Sequence, residues 1–308
     1  MKSSISGQDC RLRLALLAVL SLGRPVFAAT HYVSPSGLHL TPFTNWVDAA
    51  TNIQMAINAC QFGDAVVITD GVYVLTSTLN VTNDVTLRSE NGRQAVLING
   101  NAPILGSDAV LLNFGVLDGL TISNAGRHGV KSEYGAVYNC LITHSASVGI
   151  DSYTTPRLVT NSSLFVTNTI VRKSGTNGIF TCAVNTRISD CIITESGSSG
   201  VYLRQNDAAG AGAIQIPRVS NFVLRASLIS SNSNSGVALG VYYYDPANPV
   251  IPILIEDCLI EDNVGGRGGG VADSFKTASD ASSGAVLSRC TIRRNTADNG
   301  GGVYLRGD

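Results

Sequence analysis

Residues 120–305 contain one short sequence unit seven times. Each unit has an isoleucine that opens an apolar strand, a glycine seven or eight residues later, and then an aliphatic residue that opens the next strand. The isoleucines lie 20 to 36 residues apart, at Ile122, Ile142, Ile170, Ile193, Ile229, Ile260 and Ile292. That spacing fits one coil of a parallel β-solenoid with loops of variable length, whereas a propeller blade needs four strands in about 40 residues. The repeat therefore predicts an all-β solenoid.

Two further positions in each unit predict how the solenoid is filled. Strand side chains alternate between faces, so the residue two before each isoleucine should share its inward direction. These residues are Leu120, Cys140, Asn168, Cys191, Ser227, Cys258 and Cys290. In five of the seven units, the residue three after the isoleucine is a serine or asparagine that stacked coils can join into hydrogen-bonded ladders. They are Ser145, Ser196, Asn232, Asn263 and Asn295.

Four of the seven cysteines fall on the inward row. Cysteines on one row point the same way, and coils about 4.8 Å apart hold their Cβ atoms farther apart than the roughly 3.8 Å of a disulfide. We therefore expect buried thiols, with Cys258 and Cys290 as the pair that could instead be bonded. The absence of a C-x-x-C spacing argues against a cysteine metal site.

The N-terminal region predicts export and a cap. Residues 1–28 combine basic residues, an apolar run over 14–22 and small residues before position 29, the layout of a signal peptide cleaved after Ala28. An uncleaved anchor is the alternative, but the run is shorter than the roughly 20 residues that cross a bilayer. Residues 29–62 should form a strand and a capping helix with Ile53, Ala56, Ile57 and Cys60 on one apolar face.

The solenoid itself should occupy residues 63–308. Because the chain ends inside a repeat, we expect either a fragment of a longer protein or a last coil covered by a partner. No later segment is long and apolar enough to span a membrane. With 21 Lys+Arg against 22 Asp+Glu, strong attraction to nucleic acid or an anionic membrane surface is not expected.

Several segments resemble secreted bacterial right-handed parallel β-helix proteins of the pectate-lyase-like superfamily. The segments at the start are 31–37, 52–54, 63–66 and 71–73, together with Trp46, and the Gly-rich 295–304 resembles the repeats of large surface proteins of this kind. The resemblance implies a right-handed single-stranded parallel β-helix with an N-terminal capping helix. The resemblance does not identify an activity, because the superfamily includes lyases, hydrolases, epimerases and adhesins.

The resemblance also suggests where to look for catalytic groups. Family pectate lyases hold calcium with carboxylates on neighbouring coils, and the candidates for calcium here are Asp118, Glu133, Asp151 and Asp190. Related polygalacturonases use paired aspartates, a Gly-His-Gly and an Arg-x-Lys. Only residues 127–129 faintly echo that set, so such a hydrolase is doubtful and no cofactor is assignable.

A surface row provides the remaining candidates. Two residues after the repeat glycine stand Lys131, Asp151, Phe180 and Tyr202 on four successive coils. His128 and His144 belong to two of these coils, and a histidine near a carboxylate can act as a general base. The candidate catalytic residues are therefore His128, Lys131, His144 and Asp151. An exposed row must carry polar residues in any case, which is the alternative reading.

Long insertions follow the same strand in three units, over 204–220, 241–253 and 272–285. We expect them to leave the solenoid at one corner. Candidate substrate-binding residues are Arg127, Tyr202, Tyr242, Tyr243 and Tyr244, since rigid aromatic side chains can stack on sugars or anchor a protein partner.

Two functions remain open, beside the further possibility that the chain is a passenger piece of an autotransporter or another large exported protein. The first is a secreted or cell-surface scaffold that contacts glycans or mediates adhesion, which explains the repeats and the lack of a catalytic motif. The second is a polysaccharide lyase that acts with calcium on uronate-containing glycans, or less plausibly a glycoside hydrolase. A polysaccharide or cell-surface glycan is the expected partner in both.

Overall fold

The computed structural model describes residues 28–102, 106–152, 162–205, 221–241, 253–273 and 285–305. The predicted signal segment up to residue 27 and Tyr242, Tyr243 and Tyr244 lie outside these ranges. In the described residues every strand pairing is parallel, and each strand pairs with the strand one coil further along the chain. This confirms the predicted fold, a right-handed parallel β-helix with a capping helix.

Each coil has three strand directions, which we name faces A, B and C. Face A contains Thr30–Val33, Ala65–Ile68, Val85–Ser89, Ser163–Thr167, Asn185–Ser189, Asn221–Arg225, Ile253–Glu256 and Val286–Ser288. Face B contains Gly71–Val74, Val96–Asn99, Thr121–Ala125, Leu141–Ser145, Ile170–Arg172, Ile192–Thr194, Leu228–Ser230, Leu259–Glu261 and Thr291–Arg293. Face C contains Leu79–Val81, Ile150–Ser152, Ile179–Thr181, Val201–Gln205, Val237–Val241, Val271–Asp273 and Val303–Leu305.

Two long strands belong to both face A and face C. Val110–Asp118 pairs with Leu79–Val81 through its first residues and with Val85–Ser89 through its last. Val130–Tyr138 does the same one coil further on. Within the described residues these strands join faces A and C into one 17-stranded sheet, while face B is a separate 9-stranded sheet. A short pair, Val264–Arg267 and Thr296–Asn299, lies at the corner between faces B and C.

The inward row of face B matches the repeat in six of its seven units. Ile142, Ile193 and Ile229 are fully buried and stacked, but the residue between the first two is Val171 rather than Ile170. The prediction for that unit is wrong by one residue, so the inward residue before it is Thr169 and not Asn168. Two aliphatic residues stand side by side there, and periodicity alone cannot choose between them.

Asn168 has a different position in the structure. It adopts a left-handed conformation with φ 48°, at the turn between faces A and B that Asn139 occupies one coil earlier with φ 54°. Its Nδ2 donates to Asn139 Oδ1 at 2.7 Å. Asparagine tolerates this conformation better than most residues, so the two form an outer ladder at the turn.

The repeat glycine lets neighbouring coils approach at the corner between faces B and C. A Cβ on Gly178 would lie 2.6 Å from Ile193 Cγ2, 2.6 Å from the Gly200 carbonyl oxygen and 3.0 Å from Ser196 Oγ. Two coils further on, a Cβ on Gly236 would meet the facing isoleucine, the next glycine carbonyl oxygen and an asparagine amide at 2.7 to 2.9 Å. Glycine is therefore required by packing, and its spacing from the inward aliphatic residue follows from that.

The cysteines described in the structure are free thiols. Cys140, Cys191 and Cys258 are buried, and burial raises the pKa of each thiol to about 12. Cys258 Sγ donates to the Glu256 carbonyl at 3.1 Å, and Cys290 is only partly buried. The prediction of buried thiols is confirmed, with no disulfide between Cys258 and Cys290.

The capping helix is Ile53–Ala59. Its N-cap is Asn52, whose side-chain oxygen accepts a hydrogen bond from the Met55 N–H at 3.3 Å, the usual way to satisfy a first-turn donor. The predicted apolar face is buried against the first coils, with Cys60 completing it. No helix of the described residues is long and apolar enough to cross a membrane.

Candidate functional site

The predicted surface row is present on face C. Asp151 pairs in register with Lys131 on one side and with Phe180 on the other, and Phe180 pairs with Tyr202. The rings of Phe180 and Tyr202 contact edge to face, with centroids 5.3 Å apart at 73°. The row is less exposed than predicted, because Asp151 is 5% exposed.

His128 reaches Asp151 from the neighbouring corner. Its Nε2 lies 3.3 Å from Asp151 Oδ2, and the Val148 N–H donates to its Nδ1 at 3.3 Å. The neutral ring therefore carries its proton on Nε2. Both ring nitrogens are engaged inside the protein, so His128 presents no lone pair to a substrate proton, and its role in this geometry is to tie two coils together.

The electrostatics of His128 agree with a structural role. Burial lowers the pKa of His128, and the nearby Asp151 and Asp108 carboxylates oppose that shift only in part. Its backbone N–H donates to Asp108 Oδ1 at 3.3 Å, and Arg127 Nε pairs with the same oxygen at 3.1 Å. The Arg127 side chain is half exposed, and its ion pair is with Asp108 on the preceding coil and not with the carboxylate of the face C row.

His144 lies on a different surface. It follows the inward Ile142 by two residues and is the next-to-last residue of the face B strand Leu141–Ser145, where it adopts the left-handed conformation with φ 52°. The same position on successive coils is occupied by a row that we call the corner row, whose members have φ between 53° and 58°: Asn124, Lys173, Glu195 and Ser231. With His144 this makes five successive coils. Side chains at this turn project away from the solenoid.

An open groove of about 610 Å³ runs beside the corner row. All five members line it, together with small residues on the same five coils: Ala125, Ala146, Gly175, Gly197 and Ser233. Five coils spaced about 4.8 Å apart give the groove a length of roughly 19 Å along the solenoid axis. It offers one ammonium, one carboxylate, one imidazole and two neutral polar groups. His144 Nδ1 is 3.0 Å from Thr143 Oγ1.

Sequence reasoning missed most of this groove, although a signal was present. The corner row is the position two after each inward aliphatic residue, so His144 and Glu195 follow directly from the repeat. On the third coil of the row the mistaken choice of Ile170 points to Arg172 instead of Lys173. The left-handed conformation, which makes the row project outward, is not visible in a period-two pattern.

The three aspartates proposed for calcium do not come together. Asp118 ends the strand Val110–Asp118 on face A and accepts a hydrogen bond from Asn139 Nδ2 at 2.6 Å. Asp190 lies at the turn between faces A and B, three coils further on, and Asp151 lies on face C. These carboxylates therefore do not form one site.

A different set of possible ligand atoms does converge in the described residues. His31, Cys60 and Asp64 are buried beneath the capping helix with one ligand atom of each within 4.8 Å of the others. Both Asp64 oxygens already accept backbone N–H groups, from Ala29 at 2.7 Å and Gln61 at 2.6 Å. The cluster is thus a hydrogen-bonded part of the N-terminal coil.

The strands on either side of each predicted insertion belong to face C and face A, so each insertion begins and ends at the corner between these two faces. The segments 153–161, 206–220, 242–252 and 274–284 each connect the end of a face C strand with the start of the next face A strand. The candidate tyrosines at 242–244 belong to one of these segments and lie outside the described residues.

Comparison with known proteins supports the fold. No family model and no curated protein matches the chain. Among solved structures, the pectate lyase Pel9A is 14% identical with a TM-score of 0.59, over 88% of this chain and 80% of the lyase. The pectin methylesterase from Aspergillus niger is 10% identical with a TM-score of 0.51, over 90% of this chain and 87% of the esterase. The chain has the pectate-lyase-like β-helix fold.

Proposed function

We propose that this protein binds an extended glycan in the groove beside the corner row. The observation that carries the proposal is the continuity of this groove over five coils, with a polar or charged side chain at each step. A polymer with a regular repeat can make the same kind of contact at successive coils. A compact ligand would contact only one or two of these coils.

The names of the two similar structures favour the same class of ligand. Both are named for pectic substrates, which are chains of uronate sugars. Lys173 and His144 could donate to uronate carboxylates, and Asn124, Glu195 and Ser231 could bond sugar hydroxyls. At 14% identity or less the likeness itself carries only the fold, so the groove is the main support.

Binding without cleavage is the reading that the candidate residues favour. His128 has both ring nitrogens engaged, and Asp118, Asp151 and Asp190 are spread over different parts of the solenoid. A calcium-assisted lyase built on those aspartates is therefore not supported. Cleavage within the groove would have to use His144 and Glu195, which lie two coils apart.

The expected location is outside the cell or on its surface. The signal-like layout of residues 1–28 and the buried, unpaired thiols are compatible with export. A glycan-binding surface on an elongated solenoid would then face extracellular or cell-wall polysaccharides.

The test is affinity measurement with the secreted protein and a panel of oligosaccharides from pectin, alginate, glycosaminoglycans and a neutral glucan. Lys173→Asn and His144→Asn are the test variants, because asparagine keeps the left-handed turn. Arg187→Ala, on the outward side of face A, is the matched control. We expect each test variant to weaken binding about tenfold, the cost of one charge-assisted hydrogen bond, and the control to bind normally.

The same samples separate binding from catalysis. Unsaturated product absorbance reports a lyase and new reducing ends report a hydrolase. Turnover that disappears in Glu195→Gln would replace the binding proposal with cleavage in the groove. Absence of binding to every glycan, or equal loss in the Arg187→Ala control, would refute the proposal.

A further inference from the structure

Asp64 is a buried carboxylate with an unusual set of donors. It is 2% exposed and lies under the capping helix at the first coil. Oδ1 accepts from the Ala29 N–H at 2.7 Å, and Oδ2 accepts from the Gln61 N–H at 2.6 Å. His31 Nε2 lies 3.2 Å from Oδ2. These hydrogen bonds outweigh desolvation and hold the pKa of Asp64 below its ordinary value, so the carboxylate is ionised.

A buried carboxylate is costly unless a cation pairs with it. The titratable side chains that face Asp64 are His31 and Cys60. Burial and the Asp64 charge raise the pKa of the Cys60 thiol to about 12, so this group stays neutral and offers no charge. His31 faces two acceptors, with Nδ1 2.7 Å from the Pro42 carbonyl oxygen and Nε2 3.2 Å from Asp64 Oδ2, so a ring that is protonated on both nitrogens pairs with the carboxylate from one side. The remaining neighbour is the main-chain nitrogen of Ala29, which is neutral as long as residue 28 is attached.

The chain around that nitrogen is arranged for cleavage. Ala28 is exposed, Ala29 is half-buried, and the first strand, Thr30–Val33, begins directly afterwards. The bond between Ala28 and Ala29 is also where the sequence predicts signal-peptide cleavage. Hydrolysis of this bond consumes one water, leaves a carboxylate on Ala28, and gives Ala29 an amine that takes up a proton.

We propose that Asp64 is the binding site for the α-ammonium group of Ala29, which forms when the chain is cut after Ala28. One N–H of that nitrogen already points at Oδ1, and the two new protons would lie where exposed Ala28 was, in water. Processing then converts a neutral hydrogen bond into an ion pair and completes the first coil. The ligand class is a primary ammonium supplied by the chain itself.

The ion pair depends on the exact cleavage position. A strand advances about 3.3 Å per residue, so a start one residue earlier or later moves the charge away from Oδ1. It also depends on pH with a definite sign. The carboxylate raises the pKa of the amine, so the added stability is present below the unfolded amine value of about 8 and is lost as pH rises through the folded value.

The first experiment is the intact mass of the full-length protein secreted by a bacterial host. We expect a mature chain that begins at Ala29. A mature chain that begins at any other residue, or an uncut chain, would overturn the proposal. This readout does not involve glycan binding, so its failure is distinguishable from failure of the proposed function.

The second experiment compares residues 29–308 with a free α-amine and the same chain acetylated at Ala29. Acetylation keeps the N–H donor and removes only the charge. We expect the free-amine form to melt about 2–4 °C higher at neutral pH, with the difference absent in Asp64→Asn and absent well above pH 9. Equal melting temperatures of the two forms at neutral pH would refute the ion pair, whatever the stability of Asp64→Asn.

Discussion

The interior corner between faces B and C is filled in two chemically different ways. The residue three after the inward aliphatic is serine on three successive coils, Ser145, Ser174 and Ser196. On the next three coils it is asparagine, at Asn232, Asn263 and Asn295. The backbone register and the facing repeat glycine are the same in both halves. We call these positions the inner row.

The asparagine half is fully hydrogen-bonded. Asn232 Nδ2 donates to Asn263 Oδ1 at 2.8 Å, and Asn263 Nδ2 donates to Asn295 Oδ1 at 2.9 Å. Each side-chain oxygen also accepts the backbone N–H of the preceding row member. Asn263 Nδ2 additionally reaches the carbonyl oxygens of Ile229 and Glu261, at 3.1 and 3.0 Å.

The serine half has no such ladder. The hydroxyl oxygens of Ser145, Ser174 and Ser196 are buried without a hydrogen-bond partner. At these three positions the serine hydroxyl reaches no partner on the next coil, whereas the asparagine amide bonds in both directions along the row. The comparison shows that backbone pairing and glycine packing specify the coil, and that the polar ladder is a local addition to it.

The largest effect is expected from Asn263→Ala, in the middle of the ladder. The substitution removes the acceptor of Asn232 Nδ2 and the donor to two buried carbonyl groups. Leaving buried polar groups unpaired should cost about 3 kcal/mol of unfolding free energy. Denaturant unfolding measures this, and a loss below about 1 kcal/mol would show that the ladder contributes little beyond packing.

Substituting the repeat glycine tests the part that both halves share. Gly178→Ala and Gly236→Ala each place a Cβ within 3.0 Å of the facing isoleucine, the next glycine carbonyl and the inner row. We expect each to cost about 2 kcal/mol, because overpacking forces the coils apart. The control is Gly266→Ala, because among the described residues the atom nearest to a Cβ at this position is Asp298 Oδ2, at 4.0 Å. Clearly unequal losses of unfolding free energy for the two variants would mean that packing differs between the serine and asparagine parts of the inner row.

A smaller, stabilising effect is expected from Ser196→Asn. The Ser196 N–H already donates to Asn232 Oδ1 at 3.1 Å, as the N–H of Asn232 does to Asn263. A new amide at 196 can therefore bond the same oxygen and extend the ladder by one coil, worth about 1 kcal/mol. Ser174→Asn is the matched control, since its next row member is a serine. Equal gains from both variants would contradict the ladder explanation.

The sequence predicted the fold because coil stacking repeats the same few requirements. Inward aliphatic residues, the repeat glycine and the polar inner row recur at nearly fixed spacing, and each is visible as residue type. The one error in the inward row arose where Ile170 and Val171 stand together. Turn conformation, seen in the positive φ of Asn168, decides between them and has no period-two signature.

The candidate site was less predictable because it depends on contacts between coils. The row of Lys131, Asp151 and Tyr202 follows from spacing and is present on face C. The hydrogen bond from the Val148 N–H to His128 Nδ1 joins residues 20 positions apart in the chain, and no local sequence pattern predicts it. His144 belongs to the corner groove for the same reason, since only the turn conformation directs it there.

The smallest effect is expected from Ser174→Ala, and it tests the comparison most directly. Ser174 is 3% exposed, and its Oγ has no hydrogen-bond partner. Removing the hydroxyl therefore breaks no hydrogen bond and removes the free-energy cost of burying an unpaired polar group. The stability should change by less than about 0.5 kcal/mol, in either direction, because replacing an unpaired polar group by an apolar one is nearly neutral. Thermal unfolding beside Asn263→Ala measures both halves in one series. A loss of stability at 174 comparable to that at 263 would show that the serine hydroxyls are hydrogen-bonded in solution, and the two halves would then be chemically alike.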